Sequence, residues 1–449
     1  MPAAGIRDVG HSQERTLCAN ALFPIKKNRA QGALLRWRGK DAASAMIGGM
    51  GEPFDIVIVG GGLVGASLAI ALDGSGHRVA LVEAALPRVE AQPSHDERNL
   101  ALARVTIDGL AALGVWAHAE ASATPIRRIH VSRRGDFGSV RLDCAQLGLA
   151  EFGAVLPARE LGRALLARVD ACTRLVRIAP AELIGLDARD DGMQACLRTP
   201  AGERLLTARL LVGADGTQSF VRQAVGIGIE ETDYAQSAIV TTLGCERPLD
   251  GQAWERFTDS GPVAVLPLGG RRAGLVLSVP AAEAGAVAAL DDAAFIAFVH
   301  ERFGWRAGRF SRPGARRPYP LRRTLARALT APRVVLVGNA AQTVHPLGAQ
   351  GFNLGLRDAL TLAELVEVAA DPGAAAVLAD YVGRRTPDRA ATTAFSDDLV
   401  RLMGNDTLPL RALRTLGFAA LAASDGLRRR VAVRGMGFRG DVSARALGR

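Results

Sequence analysis

Three glycines, Gly60, Gly62 and Gly65, stand in GxGxxG spacing directly after the apolar run FDIVIV, and Glu83 closes the next apolar run 18 residues beyond Gly65. This pattern suits a pyrophosphate. The first glycine permits a tight turn, the second lets the backbone approach the phosphates, and the third lets helix and strand pack closely. A carboxylate at the end of the second run is placed to accept hydrogen bonds from ribose hydroxyls. Two later turns have a similar character: GADGT, with Asp215, and GNAAQTVHPLGAQGFNLGLRD, which runs from Gly338 and carries no charge before Arg357. A flexible, uncharged turn between a buried strand and a helix is expected where backbone must touch a large ligand. His345 lies in that turn, where it is either a ligand contact or an ordered structural histidine.

Positioning these residues requires a particular set of elements. FDIVIVG, GGLVGASLAIALDGSG and HRVALVEA read as strand, glycine-rich turn with helix, and strand, a βαβ unit. ARLLVGADGT and PRVVLVGNAAQ add two more strand ends to the same sheet. Between them, GPVAVLPLGGRRAGLVLSVP reads as a hairpin turning at Gly269 and Gly270, and DDAAFIAFVHERFG as a helix. The chain after Asp358 reads as mostly helical. The expected fold class is α/β: a Rossmann-like FAD-binding domain interrupted by a β-rich substrate domain, with a helical C-terminal part. The expected boundaries are 51–234 with 321–400 for the cofactor domain, 235–320 for the β-rich domain and 401–449 for the C-terminal segment.

FAD is the expected cofactor because the chain returns to the ligand twice, far from the first turn. An NAD dehydrogenase would continue with further βαβ units and a nearby catalytic His, Lys or Tyr. No Ser/His/Asp triad, carboxylate pair or metal cluster is evident, so the chemistry falls to the cofactor.

Composition narrows the class. The chain has 449 residues, half of them apolar, without the long uninterrupted apolar run of a spanning helix. Cys18, Cys144, Cys172, Cys196 and Cys245 form no CxxC pair, which fits a reducing cytoplasm. Of the net charge of +10, half comes from residues 1–50, with 8 Lys/Arg against 3 Asp/Glu. The remainder is a mild excess, so no nucleic-acid partner is expected. All the lysines (Lys26, Lys27, Lys40) fall in that leader, which is read as a dispensable disordered extension, or as a start placed ahead of Met46 or Met50.

The motifs in this order resemble the class A FAD-dependent aromatic hydroxylases, the group that includes p-hydroxybenzoate hydroxylase. The ubiquinone-biosynthesis branch, of the 2-polyprenyl-6-methoxyphenol hydroxylase kind, is the most similar. The resemblance runs from about Phe54 to Phe438 and rests on GGGLVG, SHDERNLALARVTIDGLAALGVW, LLVGADGTQSFVR, GPVAVLPL, the turn from Gly338 and YVGRRTPDRA. It implies an FAD monooxygenase that uses NAD(P)H as a transient co-substrate and O2, activated at C4a of the reduced flavin, to hydroxylate a polyprenylated phenol. It also implies cofactor roles for Gly60, Gly62, Gly65, Glu83, Arg98, Arg159 and Asp215, and for Asn339, Gly348, Gly351, Phe352 and Asn353. Asn339 stands where most of the class has aspartate, and GAQG at 348–351 where the branch usually reads AGQG; Gly348, Gly351 and Gly355 are expected to remove side chains where the flavin ring would collide. The helix opening near Asn353 is expected to aim its free N–H groups at the flavin.

Two other readings stay open. One is a hydroxylase of a small soluble aromatic acid, which needs a carboxylate-binding arginine such as Arg271 or Arg272. The other is a catalytically idle flavoprotein in a membrane-associated biosynthetic complex. For a substrate this apolar, peripheral contact with the inner face of the membrane is expected through LPLRALRTLGFAALAA (408–423) and the arginines that follow, unless that helix simply packs on the cofactor domain.

Overall fold

The computed structural model describes residues 53–85, 98–345, 347, 350–404, 407–438 and 443–444; the leader reading and Gly348 lie outside them. Runs of β-branched and aliphatic residues build a central sheet whose strands are buried on both faces. Its parallel core runs Val334–Leu336, Gly202–Gly213, Phe54–Val59, Val79–Val82, Leu175–Ile178. Register sets Ile58 beside Leu81 on one side and Val212 on the other. Continuous apolar strands are what a parallel sheet with both faces covered requires. Helices Leu63–Ala71, Gln350–Glu367 and Ala375–Gly404 cover it, and Ile56, Val57 and Ile58 are wholly buried.

A second sheet of nine strands is mainly antiparallel. Gly261–Leu268 and Arg272–Pro280 form the expected hairpin, with Gly270 at φ +67° in the turn. Asp291 caps the helix Asp292–Phe303 by accepting the Ala294 N–H. The sequence placed the β-rich layer at 235–320, but this sheet also takes in Arg128–Arg133 and Ser139–Asp143. Gln252–Thr258 pairs in parallel with Arg128–Arg133, a non-local pairing that strand periodicity cannot announce. The long strand Ile229–Cys245 pairs with both Arg272–Pro280 and Arg317–Ala326.

A small sheet, Asn99–Ala103 with Gly153–Pro157 and Thr124–Ile126, lies between the two larger ones. A side chain on Gly274 of the second sheet would run into Asn99. Helices Leu408–Ala423 and Asp425–Gly435 follow and pack through Phe418, Ala432 and Met436 onto an apolar layer that includes Leu142, Phe152 and Phe257.

Candidate functional site

The turn after Phe54–Val59 is built so closely that two of its glycines admit no side chain. Gly60 sits at φ +104°, where a Cβ would lie 2.5 Å from the Ala214 carbonyl oxygen. A Cβ on Gly65 would overlap the Gly60 carbonyl oxygen. The GxGxxG turn and the GADG turn therefore touch backbone to backbone. Gly62 is different: nothing lies within 4 Å of the position its Cβ would take. It caps the helix Leu63–Ala71 without a side-chain hydrogen bond, and the first turn of that helix holds no acid. The result is an open space facing uncapped N–H groups, a cradle for an anionic group.

Glu83 stands at this turn. Its Oε2 accepts the Gly61 N–H at 2.6 Å and its Oε1 accepts the Ala85 N–H at 2.9 Å, which leaves further lone pairs for a hydroxyl. Asp215 Oδ2 accepts the Val221 N–H at 3.0 Å, while Oδ1 is buried without a partner among the described residues. An orphaned carboxylate oxygen beside an open glycine cradle fits a polyhydroxylated dinucleotide such as FAD.

The ring turn is held from beneath. Gly338, at φ +60°, and Gly355 both pack on Val64, so these glycines bring two helices together. For Gly355 this corrects the expectation that it clears space for a ring. Gly351 faces open space, Asn339 is exposed and Phe352 rests half-buried on the main core. The helix starts at Gln350, earlier than expected, and has no acid in its first turn. Asn353 is buried, and its amide is spent on strand Asn99–Ala103: Oδ1 accepts the Ala103 N–H at 2.9 Å and Nδ2 donates to the Ala101 carbonyl at 3.0 Å. This contact ties the ring turn to the small sheet.

His345 is 1% exposed. Its Nδ1 accepts the Leu347 N–H at 3.1 Å, which puts the ring proton on Nε2, and Nε2 is buried without a partner. Burial pushes its pKa down to about 4 against a weaker opposing pull from Asp397. His345 is thus a fixed neutral donor at physiological pH. It meets Tyr234 edge to face at 4.8 Å, and the Tyr234 hydroxyl donates to Asp397 at 2.5 Å. Asp397 also pairs with Arg323.

Two further expected contacts, Arg98 and Arg159, have partners of their own. The Arg98 guanidinium lies over the Tyr319 ring at 5.6 Å, next to the second sheet. Arg159 is exposed and pairs with Glu160 at 3.4 Å, a surface contact of small energetic consequence.

Sequence reasoning missed the ion network behind the turn. Asp358 accepts the Gly338 N–H at 3.2 Å, Gln342 Nε2 at 2.5 Å and Arg385 Nε at 2.8 Å. Arg385 also reaches Asp388 at 2.7 Å, as does Arg357, and Arg357 donates to the Asn353 carbonyl at 3.2 Å. Both ends of the turn are thereby fixed to one buried cluster. The signal available was YVGRRTPDRA, a charge-rich segment in register with a buried helix.

Several known proteins are similar to this chain. The FAD binding domain family matches residues 53–396. The ubiquinone hydroxylase UbiL of Rhodospirillum rubrum is 36% identical over 393 residues, covering 86% of this chain and 90% of UbiL. The 3-demethoxyubiquinol 3-hydroxylase of Escherichia coli is 34% identical over 386 residues, covering 84% and 97%. Among solved structures, p-nitrophenol 4-monooxygenase PnpA of Pseudomonas putida superposes with TM-score 0.71 at 20% identity, covering 86% of this chain and 98% of its own, which supports the shared fold. The match spans well over half of the chain, and the protein belongs to the FAD binding domain family.

Proposed function

We propose that the protein is an FAD-dependent monooxygenase that hydroxylates the ring of a polyprenylated phenol in ubiquinone biosynthesis, with NAD(P)H and O2 as co-substrates. Bound FAD supplies the redox chemistry, taking hydride from NAD(P)H and activating oxygen for transfer to the ring. Gly60, Gly62, Gly65, Glu83 and Asp215 would hold the dinucleotide, and the turn from Asn339 through Gly351 to Asn353 would meet the ring end. Water is kept out by the apolar layer around Leu347 and Met403.

One observation carries the choice of substrate. The face of the second sheet turned toward the small sheet is apolar at its centre, where Val240 is buried and Leu266 and Val276 are only partly covered. Arg271 and Arg272, which a soluble aromatic acid would need, are exposed at the hairpin turn, where Arg272 Nε donates to the Gly269 carbonyl. A test is turnover of a short-chain prenylated phenol with NADPH under labelled O2. One labelled oxygen atom in the product is expected; NADPH oxidation without label in any phenol would refute the reading.

The partner side of the proposal is an anionic membrane surface, which would deliver a substrate of this class. Among the described residues no helix is long and apolar enough to cross a bilayer. Helix Leu408–Ala423 exposes Leu408, Leu413 and Leu416, and beside it Phe137 is 85% exposed on a loop held by Arg411 through the Gly135 carbonyl. Arg414, expected to face lipid, is buried, donating to Asp136 at 2.6 Å and to the Leu402 carbonyl at 2.8 Å. The basic contribution therefore falls to exposed residues such as Arg429 and Arg430. Near an anionic surface each adds roughly 1 kcal/mol. Vesicles containing anionic lipid should sediment the protein at low salt. Phe137→Ser with Leu416→Ser should release it while FAD stays bound, and equal sedimentation of that variant would exclude this face.

A further inference from the structure

The second sheet carries one acidic side chain on a cross-strand row that faces the cofactor side. Strand register sets Val131, Glu255, Ala264, Val276, Val240 and Arg317 next to one another across six strands. Side chains alternate along a strand, so Glu255 shares its face with Ala253 and Phe257. Both belong to the apolar layer that also contains Val155 of the small sheet, Leu347 of the ring turn and Met403, while Trp254 packs into the cluster behind the sheet. One row further along, Gly274 is pressed by Asn99, whose Nδ2 is buried without a partner among the described residues. Glu255 thus lies on the face of the second sheet that packs toward the small sheet, the ring turn and the helix that carries Met403.

Its surroundings are unusual for a carboxylate. It is half-buried in the sheet centre, and among the described residues it has neither a hydrogen-bond partner nor an ion pair. Its immediate neighbours in the row, Val131 and Ala264, are apolar, and Arg317 lies at the far, exposed end; the buried Arg133, one row along on the same face, donates to the Met403 carbonyl and to Asp259. Burial alone pushes its pKa up to about 7. An unpaired acid in an apolar wall costs stability, and such a cost is commonly retained where the group works on a ligand.

We propose that Glu255 is the proton acceptor for the phenolic hydroxyl of the substrate. The O–H bond breaks, its electron pair stays on the ring oxygen and the proton passes to the carboxylate. The ring becomes more electron-rich, as transfer of an electrophilic oxygen requires. A carboxyl that titrates near neutrality is suited to this task, because enough of it is ionised to accept and the resulting acid is not too strong. This inference rests on the phenol hydroxylase reading.

The test uses the FAD-loaded enzyme, NADPH and short-chain prenylated phenols of graded acidity. Glu255→Gln should keep its FAD and bind the phenol with KM changed less than about threefold, and product formation should fall roughly 100-fold. The loss should shrink as pH rises toward the phenol's own ionisation, and with more acidic fluorinated phenols, because a substrate already ionised needs no acceptor. Glu255→Asp should recover part of the rate and serves as the second variant if the amide proves unstable. A Glu255→Gln rate equal to wild type, or a loss independent of pH and of phenol acidity, would overturn the inference. Failure of the wild type to hydroxylate any phenol would instead bring down the functional reading, and this inference with it.

Discussion

Gly62→Val is expected to give a folded protein that cannot hold FAD. The backbone at Gly62 has φ −65° and ψ −175°, which a β-branched residue adopts readily, and the space around its Cβ is empty. The valine methyls would fill the cradle and cover the helix N–H groups, so the pyrophosphate would lose both room and partners. A loss of FAD affinity of at least about 100-fold, near 3 kcal/mol, is the expected scale for removing several charge-assisted hydrogen bonds. Purified variant with a normal circular dichroism spectrum and no flavin absorbance would meet the expectation. Flavin content equal to wild type would show that the pyrophosphate lies elsewhere. Gly65→Ala provides the contrast: its Cβ would overlap the Gly60 carbonyl oxygen, so that change should damage the fold itself and lower soluble yield.

Arg385→Met should destabilise the protein by about 3–5 kcal/mol, the usual cost of stranding one partner of a buried ion cluster. The Arg385 side chain is 1% exposed and bridges Asp358 and Asp388. Burial pushes the Asp388 carboxyl up, but Arg357 and Arg385 outweigh it and hold it below the ordinary carboxylate range. A depressed carboxylate contributes stability above its unfolded pKa and loses it as pH falls through the folded value. The stability gap between wild type and Asp388→Asn should therefore be full at neutral pH and shrink only in acid. Unfolding of the apoproteins followed from pH 7 down to about pH 2, through and below the ordinary carboxylate range, would measure it, and a gap that stays constant over that whole range would exclude the charge as its source. Because Asp358 also receives the Gly338 N–H, both variants should release FAD more readily as well.

Local signals explain what was legible beforehand. The βαβ unit, the hairpin at Gly269 and Gly270 and the capped helix from Asp292 each rest on a few consecutive residues, whose turn chemistry and periodicity can be read along the chain. The rest depends on partners far apart in sequence. Nothing near Arg128–Arg133 announces its pairing with Gln252–Thr258, and nothing near Asn353 shows that its amide closes on Ala101 and Ala103. Gly355 looked like a residue clearing room for a ligand and instead seats one helix against Val64, because a glycine reports close approach without saying of what. Arg414 lies in the segment expected to meet the membrane, and the sequence does not single out Arg385. Only the acids that meet them, Asp136 and Asp358, make their burial affordable, and neither pairing follows helical spacing. Glu255 was passed over for a related reason: a single acid in a strand reads as solvent-facing until the register of five neighbouring strands is known.

The interleaving of distant segments in the central sheet sets an order of events during synthesis. Phe54–Val59 leaves the ribosome early, but one of its two neighbours, Gly202–Gly213, emerges some 150 residues later, and that strand must wait again for Val334–Leu336. The buried cluster that fixes the ring turn closes only when Arg385 and Asp388 have appeared. A nascent chain therefore carries the GxGxxG turn well before the GADG turn it packs on, and both before the cluster that fixes the ring turn. Long waits of this kind leave parallel strand edges unpaired and prone to misassociation. Cofactor capture becomes a late, nearly all-or-none event. Fragments cut short before residue 388 would lack the clasp entirely, so flavin retention reports whether the chain has been made through Asp388 and correctly joined.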